Sequence, residues 1–182
     1  MKFIVRTVEP RDISTLIDNI PNLIVVKDIK RDAMDTFFRG LEAAEDDCAV
    51  HLEDDIILCS DFYNKITQAI NENKQDVIQF FSMRKDDLTI GTRYINGSKF
   101  MMNQCFYLPK GMSKDLREWA KTAVYTPLII KSSGYDLLMA NYFKEKKIKY
   151  LNWCPNLVDH MECKSIIDSH RSSKRQSLTF EG

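Results

Sequence analysis

The sequence predicts an α/β domain, a mostly parallel central sheet with helices packed on both faces. Three observations predict it. Short apolar runs of strand length alternate with segments of helical period from residue 3 to residue 81. The strand-like runs are apolar throughout rather than alternating, as strands covered on both faces must be. The chain has 182 residues, 44% of them hydrophobic and 29% charged, which suits one ordinary domain with a sizeable core.

Phe3 to Val8 is rich in β-branched residues and reads as the first strand. Asp12 offers an N-cap to a helix with Ile13, Leu16, Ile17 and Ile20 on one face. Pro21-Asn22 stops that helix, and Leu23 to Val26 reads as a fully apolar strand ending at Lys27-Asp28. Met34, Phe37, Phe38 and Leu41 share one face of a second helix. Cys48 to Leu52 is a third strand and runs directly into Glu53-Asp54-Asp55. Ser60 can cap a third helix carrying Phe62, Ile66, Ala69 and Ile70, and Asp76 to Phe81 is a fourth strand.

The second half is less regular. Leu88 to Ile95 suits a strand or hairpin arm closed by an Asn96-Gly97 turn, and Gln104 to Leu108 a buried strand ended by Pro109. Helices follow from about Ser113 to Lys121 and from about Ser133 to Lys146. Ile148 to Leu151 and Asn156 to Val158 are short strands. Met83 to Asp87 interleaves acids with cations and reads as a surface turn; Met101-Met102 and Trp119 read as core or as lining of an acceptor groove. With no repeat or linker in view, residues 1–168 form one domain, followed by a basic tail over 169–182.

Lys+Arg and Asp+Glu balance at 26 each, so net charge draws the chain toward neither nucleic acid nor an anionic membrane. The five cysteines are odd in number, scattered and free of any C-x-x-C pair, which fits a reducing compartment. The apolar start breaks at Arg6, too early for a signal peptide, and no window has the length of a membrane span. The expectation is a soluble, cytoplasmic protein.

Ligands of open parallel sheets bind at the carboxyl ends of the strands. Glu53-Asp54-Asp55 occupies such an end. Three adjacent carboxylates repel one another unless a cation or hydrogen-bond donors compensate. Hard oxygen donors at one place suit Mg²⁺ or Mn²⁺, which complete their shells with substrate phosphates and neutralise a leaving diphosphate. The alternative is a solvated acidic turn favoured by the following helix N-terminus.

The stretch His51-Leu52-Glu53-Asp54-Asp55-Ile56-Ile57-Leu58-Cys59-Ser60-Asp61-Phe62 resembles the acidic-motif segment of GT-A glycosyltransferases, especially small ones of phage and bacterial genomes. Pro155-Asn156-Leu157-Val158-Asp159-His160 resembles a late motif of the same group, about one hundred residues on. The resemblance implies a single-domain GT-A (Rossmann-like) three-layer sandwich that takes sugar from a nucleotide donor, a uridine diphosphate sugar foremost. It implies Asp55 as metal ligand, Asp54 as a ribose or metal-shell contact, and Glu53 as support for the loop or the ribose. It places Asp28 at the nucleotide base, Thr7 in the lining of the nucleotide pocket, and His160 as the residue completing an Mn²⁺ or Mg²⁺ site. Zinc held by Cys154, His160 and Cys163 is the weaker metal reading, since the spacing matches no standard finger.

An inverting transferase needs a base for the acceptor hydroxyl. The resembling enzymes carry an acid at the start of a late helix, which corresponds to Asp136 here. Tyr135 departs from the acidic pair more usual in the family, and Asp136 equally suits a first-turn acid facing the helix dipole. With retention of configuration no base is required. The tail cations Arg171 and Arg175 either belong to a solvated terminus or close over the donor diphosphate.

The acceptor is either a hydroxymethylated base in phage DNA or a hydroxyl of a saccharide or protein. The DNA version expects a basic groove near Arg84, Arg93, Tyr94 and Lys99, and a host-cytoplasmic protein. A nucleotidyltransferase or other metal-dependent phosphoryl-transfer enzyme is the competing enzyme class, disfavoured by the absence of glycine in Arg6-Thr7-Val8-Glu9-Pro10-Arg11. A non-catalytic nucleotide-binding module of the same fold is the other alternative.

Overall fold

A computed structural model of the chain describes residues 1–123, 134–162 and 175–182. In chain order the elements are β1 (Lys2–Thr7), α1 (Ser14–Asn19), β2 (Ile24–Lys27), α2 (Ala33–Ala44), β3 (Ala49–Glu53), β4 (Ile56–Leu58) and α3 (Phe62–Glu72). Then come β5 (Val77–Gln79), α4 (Asp87–Ile90), β6 (Arg93–Asn96), β7 (Cys105–Leu108), α5 (Met112–Thr122), α6 (Gly134–Glu145), β8 (Lys149–Asn152) and β9 (Val158–His160).

Seven strands form one sheet in the order β2-β1-β3-β7-β5-β8-β6. β1, β2, β3, β5 and β8 run one way, and β6 and β7 run the other, so the sheet is mostly parallel as expected. β7 lies antiparallel between β3 and β5 and is buried along its whole length. The apolar pattern identified it as a strand but carried no signal of its direction.

Alternate side chains of the sheet feed cores on its two faces, because successive residues of a strand point to opposite faces. Phe3, Val5, Val50, Leu52 and Tyr107 pack with Leu16 of α1 and with Phe62, Ile66 and Ile70 of α3. Phe106 and Leu108 pack with Phe37 and Leu41 of α2, Leu116 of α5 and Leu138 of α6. Helices therefore cover both faces. Phe100 anchors the second core, edge-on to Phe106, Phe143 and Tyr150 at 5.9, 5.1 and 5.0 Å. Gly97 lies so close to Ile148 O and Phe143 Cβ that an added Cβ would collide with both. It serves close packing there rather than a simple turn.

Several local expectations change. Leu23 to Val26 is not fully buried; β2 is an edge strand, and Val25 is 36% exposed. Ser60 does not cap α3; Asp61 takes the N-cap in a left-handed conformation (φ 55°), with no side-chain capping bond. Asp87 is not on a solvated turn. It is buried, with Arg93 at 2.8 Å and Asn152 Nδ2 donating at 3.1 Å, so partners from β6 and β8 offset its desolvation. Trp119 joins the second core, whereas Met101 is exposed.

A separate two-stranded ribbon pairs β4 with β9, antiparallel, in the register Ile56↔His160. Met161 N donates to Asp55 O at 2.8 Å and continues that ladder by one rung. The ribbon fixes the end of the late motif against the acidic trio.

Candidate functional site

β1 and β3 are parallel neighbours with Arg6 opposite Glu53, so the residues just past both strands share one rim. Val8 N donates to Asp54 Oδ2 at 2.9 Å, and the Thr7 side chain bonds the same carboxylate. Burial raises the pKa of Asp54, opposed by those two hydrogen bonds. Asp28 N donates to Thr7 O at 2.6 Å, and Asp28 Oδ1 accepts from Asp32 N at 3.0 Å in the turn leading into α2. Thr7, Asp28 and Asp54 thus adjoin one another.

Asp55 lies on the same rim among cations and an imidazole. His160 Nε2 is 3.2 Å from Asp55 Oδ2, Arg11 Nη2 is 3.8 Å from it and Arg175 Nη2 is 4.0 Å from it. Arg11 also reaches Asp54 at 4.0 Å. Burial alone would push the Asp55 carboxyl up, but the neighbouring His160, Arg11 and Arg175 side chains outweigh it and hold the pKa down. Arg175 Nη2 stands 2.6 Å from His160 Nε2. A guanidinium can only donate, so Nε2 is the acceptor and the imidazole carries its proton on Nδ1.

Glu53 points to a different neighbourhood. Arg6 Nη2 is 3.8 Å from its Oε1, and the Tyr135 hydroxyl donates to the same oxygen. The Arg6 guanidinium lies over the rings of Tyr135, Phe37 and Phe106 at 4.8, 5.3 and 5.7 Å, and Tyr135 stacks on Phe37 at 4.7 Å. Burial, then the Asp55 charge, raises Glu53 to about 7. Asp136, in the first turn of α6, is near enough for its charge to push Glu53 further in the same direction.

Arg6 also donates to Asn103 O at 3.2 Å. Arg6 Nε and Nη1, both side-chain polar atoms of Asn103, and Gln104 Oε1 are buried without a hydrogen-bond partner among the described residues. Orphaned buried polar atoms are rare, and a cluster of them beside a rim of carboxylates suits a polar ligand or ordered water.

The structure therefore brings Thr7, Asp28, Glu53, Asp54, Asp55, Asp136, His160 and Arg175 to one end of the sheet, whereas Arg171 lies outside the described residues. Sequence reasoning missed Arg6, Arg11, Asn103 and Gln104 as parts of this end. Arg6 had a signal: a cation inside an apolar strand must find a partner. Arg11, Asn103 and Gln104 carried none.

The donor set for a cation is small. Among the described residues no three His, Cys, Asp or Glu side chains gather round one point. Asp55 and His160 do converge, Asp55 Oδ1 is buried without a hydrogen-bond partner among the described residues, and His160 Nε2 presents a lone pair. Two protein ligands fit Mg²⁺ or Mn²⁺, whose remaining positions go to water and phosphate oxygens. They do not fit structural zinc, which closes its shell with four protein ligands. Cys154 instead accepts from Asn152 Nδ2 at 3.4 Å, and Cys163 lies outside the described residues.

The groove expected for DNA is largely committed to internal contacts. Arg84 donates to Gln79, Ser82 and Lys99 O, Arg93 pairs with Asp87, and the Tyr94 hydroxyl donates to Asp76. Among the described residues no helix is long and apolar enough to cross a membrane.

No protein-family model and no curated protein matches the chain. Among solved structures, A197 from STIV is 15% identical, with 100% of this chain and 96% of that chain covered at a TM-score of 0.49. A protein assigned as a glucose-1-phosphate thymidylyltransferase of Bacillus anthracis, solved in complex with a sucrose, is 12% identical. There the alignment covers 86% of this chain and 69% of that chain, also at a TM-score of 0.49. Likenesses this distant carry no argument about activity.

Proposed function

We propose that the chain is a metal-dependent glycosyltransferase of the GT-A kind, moving sugar from a nucleotide donor, foremost a uridine diphosphate sugar, to an acceptor hydroxyl. The observation that carries this reading is the meeting of Asp55 and His160, 3.2 Å apart at the carboxyl end of the sheet and from motifs about one hundred residues apart. A divalent cation, Mn²⁺ or Mg²⁺, held by Asp55 and His160 would neutralise the leaving diphosphate.

In this reading Thr7 and Asp28 hold the nucleoside, and Asp54 with Glu53 takes the ribose side. Arg171 and Arg175 face the diphosphate, where charge-assisted hydrogen bonds are strong. Asp136 takes the proton from the acceptor hydroxyl as its oxygen bonds to the anomeric carbon and the anomeric bond to the diphosphate breaks. The position of Asp136 beside Glu53 supports that role. The orphaned atoms of Arg6, Asn103 and Gln104 supply both donors and acceptors, as sugar hydroxyls require.

The test is donor hydrolysis with Mn²⁺ and a panel of nucleotide sugars, run alongside Asp55→Ala. Metal-dependent turnover of one donor, lost in the variant, is the expected result. Acceptors, beginning with hydroxymethylated DNA and simple saccharides, are then screened with that donor. If no nucleotide sugar binds and Asp55→Ala changes nothing, the acidic trio is structural and the reading fails.

A further inference from the structure

Arg175 stands where the chemistry of the site calls for a cation. Its Nη2 donates to His160 Nε2 at 2.6 Å and lies 4.0 Å from Asp55 Oδ2, while those two acceptors are 3.2 Å from each other. The imidazole has one lone pair on Nε2. It can accept from Arg175 or bind a metal ion, but it cannot do both.

We propose that Arg175 is a built-in counter-cation of the Asp55–His160 pair, and that a divalent ion enters the site by displacing it. This inference rests on the metal reading of those two residues.

The chain around Arg175 is built for such an exchange. Ser177 N donates to Asp159 Oδ1 at 2.7 Å, Ser177 Oγ donates to Asn156 Oδ1 at 2.7 Å, and Asn156 N donates to Thr179 Oγ1 at 3.2 Å. Phe180 packs against the first core. Asn156 Oδ1 also accepts from Ser82 N at 2.8 Å, tying this anchor to the segment after β5. The backbone from residue 177 onward is thus pinned beside β9, and only the long side chain of Arg175 has to swing away. Asp159 and His160 are adjacent, so the anchor and the exchanged ligand sit on one strand.

Charge points the same way. Arg11 and Arg175 balance Asp54 and Asp55, and a divalent ion arriving with both guanidiniums in place would face strong like-charge repulsion at short range. Once displaced, Arg175 is a free bidentate donor beside the ion, suited to a diphosphate.

The test is Mn²⁺ affinity without nucleotide, read by electron paramagnetic resonance of free Mn²⁺, on the whole chain and on Arg175→Ala, Arg175→Gln, Asp55→Asn and His160→Ala. A hydrogen bond to a charged donor is worth enough that Arg175→Ala is expected to bind Mn²⁺ about ten- to a hundredfold tighter than the unsubstituted chain. Arg175→Gln, which keeps a neutral donor, falls between them and serves if the alanine variant does not fold. Asp55→Asn and His160→Ala lose binding. Unchanged or weaker Mn²⁺ binding in both Arg175 variants, with Asp55→Asn and His160→Ala still losing it, overturns the exchange and leaves the metal reading standing. No Mn²⁺ binding in any variant overturns both.

Discussion

Glu53 and Asp55 are two residues apart at the end of β3, yet their surroundings differ in kind. Asp55 meets the imidazole and guanidiniums of three chain segments, which together hold its carboxyl down despite burial. Glu53 meets one guanidinium, itself pressed over three aromatic rings, and burial raises it to about 7. Arg6 there is only 6% exposed and contacts Glu53, Asn103 O and apolar rings. The Asp55 group gathers charged and imidazole side chains from separate segments, the arrangement the proposed metal site draws on. The Glu53 group packs side chains of α2, α6, β1 and β7 around a single cation, so whatever it binds, it also ties these elements together.

That contrast breaks most visibly on the structural side. Glu53→Leu strands the Arg6 guanidinium, which cannot shed its proton, and is expected to lower stability by about 3–5 kcal/mol in equilibrium denaturation. An unaltered midpoint would show that the aromatic rings alone satisfy Arg6. On the other side, Asp55→Asn is expected to cut metal-dependent donor hydrolysis at least about a hundredfold while moving the denaturation midpoint little. A large loss of stability with activity retained would reverse the two assignments.

Tyr135→Phe sharpens the comparison within the Glu53 group. It removes the hydrogen bond to Glu53 and keeps the stack on Phe37, so a loss of about 1.5 kcal/mol is expected by the same denaturation measurement. His51 gives a separate handle, read through pH rather than through a deleted contact. It is buried on the same strand, with Ser113 Oγ at 3.4 Å, and burial followed by the Arg6 charge lowers it to about 3. The unfolded chain therefore takes up this proton first as pH falls. The stabilisation is whole above about 6.5 and is lost progressively toward 3, at up to about 1.4 kcal/mol per pH unit. Melting curves between pH 7.5 and 5 should be flatter in His51→Gln, and identical slopes would place the acid sensitivity elsewhere.

Much of the fold was readable from residues 3 to 81 because buried parallel strands and amphipathic helices each leave a period in the chain. Cys48 to Leu52 running into three acids put the rim of the sheet at the correct residues. β4 and β9 are three residues each and abut polar motifs rather than standing in a longer apolar run, so β4 was not foreseen and β9 was placed early, at Asn156 to Val158 rather than Val158–His160. Asp87 was misread for a related reason: its sequence neighbours are cations and acids, but its partners, Arg93 and Asn152, come from other strands. Asn96-Gly97 looked like a turn, and the requirement for glycine turned out to come from Ile148 and Phe143.

By itself the sequence determined the alternation of strands and helices, the placement of Glu53-Asp54-Asp55 at a strand end, and the chemistry those residue types allow. Only the tertiary structure decided which acid meets which cation. The β4–β9 ribbon sets His160 against Asp55, the antiparallel insertion of β7 brings Asn103 to Arg6, and the pinned tail delivers Arg175. The physical reason is that Coulomb interactions and desolvation depend on distance and enclosure in space, and local sequence patterns encode neither.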